Sequence, residues 1–341
     1  MLPAVSIINR LRENGKYQIK YVGGHKGIEK EIIGNLGIEY FPVSTGKLRR
    51  YLSLENLFDI FRLFYGFIQS LKLAFQFRNS GRSIVFSTGG FVSVPMVIAG
   101  RIMGHTVFLH EQTSRAGLAN RIGAIFAHRI FVSFQDSLAY FPRSKVVYSG
   151  YPLRDECFDQ EIRSYEIAGT NLAHLDRPIL FITGGGNGSR PLNEWIKKNL
   201  DWLCVEYFVI HQVGSLFYSD YAKLTRSNYL PLAFVAKGMI DLFKLSHIVI
   251  SRAGAGTVCE LLALGKPSIL VPLPHAQKNE QYFNALEAKQ KLGSIIVEEK
   301  TINDISLKEL FGQLAQSSQK PAMAPNGLDF LIKEIDQMAS K

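Results

Sequence analysis

Three turns of small residues hold the positions of this chain best suited to chemistry. Ser251-Arg252-Ala253-Gly254-Ala255-Gly256-Thr257-Val258-Cys259-Glu260 follows the apolar run 248–250 and leads into the apolar stretch 261–264, closed by Gly265. A strand that passes through such a turn into a helix leaves backbone N–H groups uncommitted. Together with the positive end of the helix dipole they bind phosphate. Glu260 stands one helical turn in, where a carboxylate can accept hydrogen bonds from a ribose diol. The same ten residues also suit a tight turn packed for its own sake. Two further runs repeat the pattern: 179–183 enters Gly184-Gly185-Gly186-Asn187-Gly188-Ser189, and 83–87 enters Thr88-Gly89-Gly90-Phe91-Val92-Ser93. One glycine-rich turn is weak evidence. Three of them, each after an apolar strand, point to ligand binding at the carboxyl ends of parallel strands.

The elements around these turns alternate. Strands are expected near 17–23, 39–43, 83–87, 106–109, 129–133 and 145–148, then 179–183, 206–211, 229–230, 248–250 and 268–271, with helices between them. That alternation means βαβ units and parallel sheets. A hinge is expected at Tyr148-Ser149-Gly150-Tyr151-Pro152. The fold class is therefore α/β, with two Rossmann-like domains facing each other across a cleft, the GT-B glycosyltransferase architecture. Domain one spans 1–150 and domain two 151–341. A last helix is expected over about 328–338, returning to the first domain. This plan suits inverting transfer from a nucleotide sugar. Backbone amides and helix N-termini stabilise the diphosphate leaving group, and a general base takes the proton of the attacking hydroxyl.

Composition narrows the partners. The 341 residues carry 47% hydrophobic and 20% charged side chains, a globular balance. Cys157, Cys204 and Cys259 are scattered, which argues against a zinc site or a disulfide framework. Neither H-E-x-x-H nor D-x-D occurs, so no metal and no cofactor is expected. No uncharged apolar run reaches the ~18 residues of a membrane span. The net charge of +10 is uneven: residues 1–150 hold 19 Lys/Arg against 8 Asp/Glu, whereas 151–341 hold 20 against 21. A basic half seeks nucleic acid or an anionic membrane surface. No nucleic-acid-binding motif accompanies the charge. Lys47, Arg49 and Arg50 instead precede a helical apolar pattern at Leu57, Ile60, Phe61, Phe64, Phe67, Ile68, Leu71, Ala74 and Phe75, with Arg78 and Arg82 after it. Leu63, Tyr65, Leu73 and Phe77 widen the stripe beyond one core face. It fits a helix packed inward on one side and touching an anionic membrane on the other. It also fits a helix buried in an α/β domain.

Taken together, Thr88-Gly-Gly-Phe-Val-Ser93 with Pro95, His110-Glu-Gln112, Gly150-Tyr-Pro-Leu-Arg154, Gly184-Gly-Gly-Asn-Gly188, Ser251 to Glu260, and Glu280-Gln281 before Asn284-Ala285 resemble the MurG family over nearly the whole chain. These enzymes move N-acetylglucosamine (GlcNAc) from UDP-GlcNAc to lipid I, making lipid II of peptidoglycan. The resemblance implies UDP-GlcNAc and lipid I as partners, a peripheral place on the cytoplasmic face of the membrane, and company with other cell-wall synthesis proteins. It implies that Glu260 holds the ribose hydroxyls, and that Thr257 with Gly185, Gly186, Asn187 and Gly188 meets the diphosphate. The Ala255 backbone would touch the sugar, and Glu280 and Gln281 would hold its hydroxyls. The Ala236 backbone, with Val235 alongside, would read uracil, and Arg154 would sit near the donor. Gly89, Gly90, His110, Glu111, Gln112 and Thr113 would line the acceptor side.

The chain departs from the family pattern at Thr113 and Tyr151, where the family has Asn, and at Gly186, where serine is common. The family also opens with a strand and a Gly-Gly-x-Gly-Gly-His loop, whose His is its favoured base. Here the sequence starts Met1-Leu2-Pro3-Ala4-Val5. The expectation is a mis-assigned start; a true start would leave a gap in the first sheet and weak or no transfer. Turnover by a protein starting at Met1 would make His110 or Glu111 the base candidates. The rival functions are a diacylglycerol glycosyltransferase, a UDP-GlcNAc 2-epimerase and a non-catalytic UDP-sugar-binding relic. The sequence argues against a NAD dehydrogenase, because no G-x-G-x-x-G appears with a matching acidic residue after the next strand.

Overall fold

The computed structural model describes residues 2–45, 54–78, 82–235, 237–316 and 326–340. The chain divides into two compact units, Met1–Leu153 with Pro325–Lys341, and Arg154–Ala324. The division falls three residues beyond the expected 150/151 boundary.

The first unit runs α1 (Leu2–Glu13), β1 (Lys20–Gly24), α2 (Ile28–Asn35), β2 (Glu39–Val43), α3 (Leu54–Arg78), β3 (Ile84–Ser87), α4 (Ser93–Ile102), β4 (Thr106–Glu111), α5 (Leu118–Phe126), β5 (Arg129–Val132) and β6 (Val146–Tyr148). All its strand pairs are parallel. They form two pieces, β1–β2 and β3–β4–β5–β6, with no strand joining them among the described residues. Val22 of β1 and Val85 of β3 nevertheless pack on one cluster around Ala74, Met96 and Ala99.

The second unit runs β7 (Glu166–Ile167), β8 (Thr170–Asn171), β9 (Ile179–Thr183), α6 (Arg190–Lys198), α7 (Leu200–Glu206), β10 (Phe208–Gln212), α8 (Tyr218–Tyr221), β11 (Tyr229–Leu232), α9 (Met239–Leu245), β12 (Ser246–Ser251), α10 (Ala255–Leu264), β13 (Ser268–Leu270), α11 (Glu280–Leu292), β14 (Ile295–Ile296) and α12 (Leu307–Gln316). Its six-stranded sheet has the order β11-β10-β9-β12-β13-β14, parallel throughout. The first long strand, β9, therefore lies inside the sheet, between β10 and β12. The first unit shows no equivalent of it among the described residues, so β1 and β3 each pair on one side only. The short β7–β8 hairpin and β14 are absent from the sequence expectation. Two-residue strands carry too little periodicity to be read.

The chain ends in α13 (Gly327–Ser340), which belongs to the first unit. Alternation along the strands explains the packing. Val107, Leu109, Ile130 and Val132 face α4 and α5, while Phe108 and Phe131 face Ile7 of α1 and Leu328, Leu331, Ile332 and Ile335 of α13. In the second unit Leu180 and Ile182 pack with α6, α7 and α12. Phe181 points the other way and meets Phe243 of α9 edge-on at 5.6 Å. Both faces of each sheet are covered, as parallel sheets require.

In each unit burial keeps a strand histidine neutral. His110 on β4 bonds Ser133 Oγ at 3.2 Å. Burial pushes its pKa down to about 4, against the opposing pull of a backbone hydrogen bond at Gly150. His211 on β10 accepts from Tyr229 and donates to Asn193 Oδ1 at 3.2 Å, and burial pushes it down to about 3. Below the ordinary histidine pKa of 6.5 the unfolded chain binds protons that the folded one refuses. Stability is therefore full above that value and falls as pH drops toward 4. Each unit should lose roughly 2 kcal/mol between pH 7 and pH 5. Urea unfolding at the two pH values measures this, and equal midpoints would mean the rings accept protons in place.

Candidate functional site

In the second unit the carboxyl ends of β9, β10, β12 and β13 release the loops that carry most of the expected donor residues. Ser189 caps α6, its Oγ accepting from the Leu192 N–H at 3.4 Å, with Pro191 in the first turn. That cap fixes one end of the glycine loop. At the other end the Gly185 N–H donates to Thr183 Oγ1 at 3.0 Å, and the Gly188 N–H returns to the Gly185 carbonyl at 3.1 Å. Gly185, Gly186 and Asn187 between these ties are exposed. The loop is thus anchored at both ends and open in the middle.

The loop from β12 enters α10 at Gly254, which provides no side-chain cap. The N–H groups of Ala255, Gly256 and Thr257 sit in the first turn, where no intrahelical acceptor exists. All three residues are partly exposed. One turn on, Glu260 is buried, and its Oε1 accepts from Arg154 Nη2 at 2.8 Å. Burial raises the Glu260 pKa, and Arg154 opposes that shift. The charge of Glu260 also holds the Arg154 guanidinium protonated. Arg154 and Glu260 are therefore brought together, as a pair, beside the turn.

Glu280 and Gln281 begin α11. Gln281 Oε1 accepts from the Leu273 N–H at 3.0 Å. The helix is reached through Lys278 and Asn279, both left-handed with φ of 53° and 55°. Two consecutive non-glycine residues in that region store strain where the chain sets the direction of these two side chains. Asn284 Nδ2 donates to the Ala253 carbonyl at 3.1 Å, locking α11 to the β12 turn. Val235 is buried; Ala236 lies outside the described residues.

Sequence reasoning missed two residues that hold the loops. Arg252 Nη2 donates to Ser189 Oγ at 2.6 Å and to Glu299, while Nη1 reaches the Val271 carbonyl at 3.2 Å. Gln212, at the end of β10, reaches both Thr183 and Gly185. A polar residue closing an apolar strand beside Gly214 was the available signal.

The acceptor-side residues form a second assembly, in the first unit. Gly89 and Gly90 follow β3 with φ of 89° and 85°. Gln112 Nε2 donates to the Thr88 carbonyl at 2.6 Å. The two base candidates close β4. His110 is fully buried and Glu111 is 4% exposed. Both oxygens of Glu111 are engaged: Oε1 by the Thr113 N–H at 3.1 Å and hydroxyl at 2.9 Å, Oε2 by the Gly117 N–H at 2.9 Å and Asn120 Nδ2 at 3.0 Å. These bonds let the Glu111 carboxylate tie the 112–120 loop to the end of β4.

Comparison with known proteins places these arrangements in context. Residues 1–132 match the glycosyltransferase family 28 N-terminal domain, and residues 179–337 match the family 28 C-terminal domain. A relative from Lachnospira eligens, named UDP-N-acetylglucosamine–N-acetylmuramyl-(pentapeptide) pyrophosphoryl-undecaprenol N-acetylglucosamine transferase, is 38% identical over 89% of this chain and 84% of its own. One of the same name from Clostridium botulinum (strain Langeland) is 35% identical over 99% of this chain and 95% of its own. Among solved structures, MurG of Acinetobacter baumannii shares the fold with a TM-score of 0.70 at 22% identity, covering 98% of this chain and 95% of that one.

Proposed function

Since the chain belongs to the MurG family, within glycosyltransferase family 28, we propose that it transfers GlcNAc from UDP-GlcNAc to lipid I, forming lipid II with inversion at the transferred carbon. The observation that carries this reading is the near-full-length identity to transferases of that name, joined to an open glycine loop and an uncapped α10 in the same unit. A hydroxyl of the acceptor sugar gives its proton to a general base as it attacks the anomeric carbon, the bond to the diphosphate breaks, and UDP leaves with the bonding electron pair. Backbone N–H groups of Gly186 and Asn187, in the exposed middle of the loop, and of the first turn of α10 neutralise the charge growing on the diphosphate. Thr257 adds its hydroxyl there, and Ala255 its backbone beside the sugar. Glu260 takes the ribose diol, with Arg154 keeping its carboxylate charged. Glu280 and Gln281 orient the GlcNAc hydroxyls, and the Val235 segment reads the base. Gly89, Gly90 and Gln112 border the acceptor.

The test is radiolabel transfer from UDP-GlcNAc with lipid I, with diacylglycerol, and with no acceptor. Label in a lipid I product supports the reading. Label in a glycolipid, or epimerised sugar nucleotide without acceptor, would replace it by one of the rival activities.

The reading includes attachment at the cytoplasmic face of the membrane through α3. Among the described residues no helix is long and apolar enough to cross a membrane. Yet α3 exposes Phe64, Tyr65, Ile68 and Phe75, with Phe64 and Phe75 at 63% and 60%. Arg62, Lys72 and Arg78 on the same helix are exposed beside them. Lys47, Arg49 and Arg50 lie outside the described residues. An apolar strip flanked by cations suits the interface of an anionic bilayer. Phe64→Ser with Phe75→Ser should lower binding to phosphatidylglycerol vesicles at least tenfold in co-sedimentation while UDP affinity stays the same. Unchanged sedimentation would remove α3 from the membrane contact.

A further inference from the structure

The Gln212 side chain is 1% exposed, and both ends of its amide are spoken for. Its Nε2 donates to Thr183 Oγ1 at 3.1 Å and to the Gly185 carbonyl at 2.9 Å. Its Oε1 accepts from the Val235 N–H at 3.0 Å. One amide thus joins the end of β9, the glycine loop and the segment after β11.

The bond to Gly185 sets the direction of a peptide plane. In a trans peptide the carbonyl and the following N–H point opposite ways. With the Gly185 carbonyl turned inward to Gln212, the Gly186 N–H is turned outward, on the exposed stretch of the loop. Gly185 has φ of 85° and is followed by a second glycine, so apart from the Gly188 N–H at 3.1 Å on the same carbonyl, Gln212 is what holds this plane against rotation. A flipped plane would present a carbonyl oxygen to an incoming phosphate in place of a donor.

We propose that Gln212 is a positioning residue for the donor: it locks the Gly185–Gly186 peptide with its N–H outward for the diphosphate, and through Val235 ties that loop to the base-reading segment. The inference rests on the proposed use of a UDP donor. Gln212 touches no substrate atom in this role.

The variant Gln212→Glu separates the two bonds. Its carboxylate still accepts from Val235 but repels the Gly185 carbonyl, which favours the flip. Protonation turns it back into a donor–acceptor pair like the amide. At pH 8 the Gln212→Glu protein should bind UDP at least tenfold more weakly than wild type, with uridine affinity within twofold. Lowering the pH to 6 should close most of the gap between the variant's UDP affinity and that of wild type measured at the same pH. Titration followed by ligand-observed NMR reads each of these affinities. Parallel loss of UDP and uridine, or no loss of either, overturns the proposal. If Gln212→Glu does not fold, Gln212→Met decides. It lacks every one of these bonds and should lose UDP and uridine affinity together, and unchanged UDP affinity overturns the proposal. A wild-type protein that binds no UDP would instead overturn the donor reading itself.

Discussion

Glu260→Ala is expected to weaken UDP-GlcNAc binding by about 1–3 kcal/mol, the scale of a hydrogen-bonding partner removed from a closed site. It should also destabilise the second unit. The two effects have different origins. The donor loses the acceptor for its ribose diol. The protein loses the partner of Arg154, whose guanidinium is about one-third exposed and so retains some water. Breaking a fully buried pair costs about 3–5 kcal/mol, and the partial exposure of Arg154 places this case below that range. Glu260→Gln separates the contributions: it keeps an oxygen for Arg154 but carries no charge, so stability should recover more than binding does. Removing both partners, as Arg154→Leu with Glu260→Leu, should restore stability while leaving donor binding weak. Calorimetric titration with UDP-GlcNAc and urea unfolding measure the two quantities. A Glu260→Ala protein with wild-type donor affinity would end the assignment of the diol to this carboxylate.

The turns proposed for the donor were legible because their signals are local. A buried strand, a run of small residues and a helix start lie next to one another in sequence, at 179–190 and again at 248–260. The strand alternation around them follows from a period that needs no knowledge of distant contacts. Gln212 and Arg252 escaped because their partners lie 19 to 63 residues away. The burial of His110 and Glu111 was harder to read: both close β4, a strand of a parallel sheet covered on both faces. Residue type does not reveal burial. The run Val107-Phe108-Leu109 before them was the hint that both faces are closed. Among the described residues the strands of the first unit form two separate parallel pieces. In the second unit β9 pairs on both sides, whereas β1 and β3 each leave one side unpaired.

Gly188→Ala should be the most damaging single methyl group in the donor loop. Gly188 has φ of 73°, which costs an alanine roughly 1–2 kcal/mol before any contact is considered. A Cβ there would lie 1.9 Å from the Val213 carbonyl oxygen and 2.8 Å from its carbon. That oxygen cannot step aside, because it accepts from Asn193 Nδ2 at 2.9 Å, and Asn193 is held in turn by His211. Val213 is also tied by its N–H to the Leu232 carbonyl at 2.9 Å. Relief must come from the glycine loop itself, which would shift off its Ser189 and Thr183 anchors. The expected result is a loss of about 3–5 kcal/mol in stability, in the range reserved for backbone strain and overpacking, with UDP affinity down tenfold or more. Gly186→Ala is the matched control. Its Cβ would meet only Phe234, at 3.7 Å, an ordinary contact. It should therefore unfold within about 1 kcal/mol of wild type, the ordinary span for a surface substitution away from such features. If the two variants unfold at the same urea concentration, the back of the loop is not pressed against Val213, and the anchored geometry proposed for diphosphate binding would have to be given up.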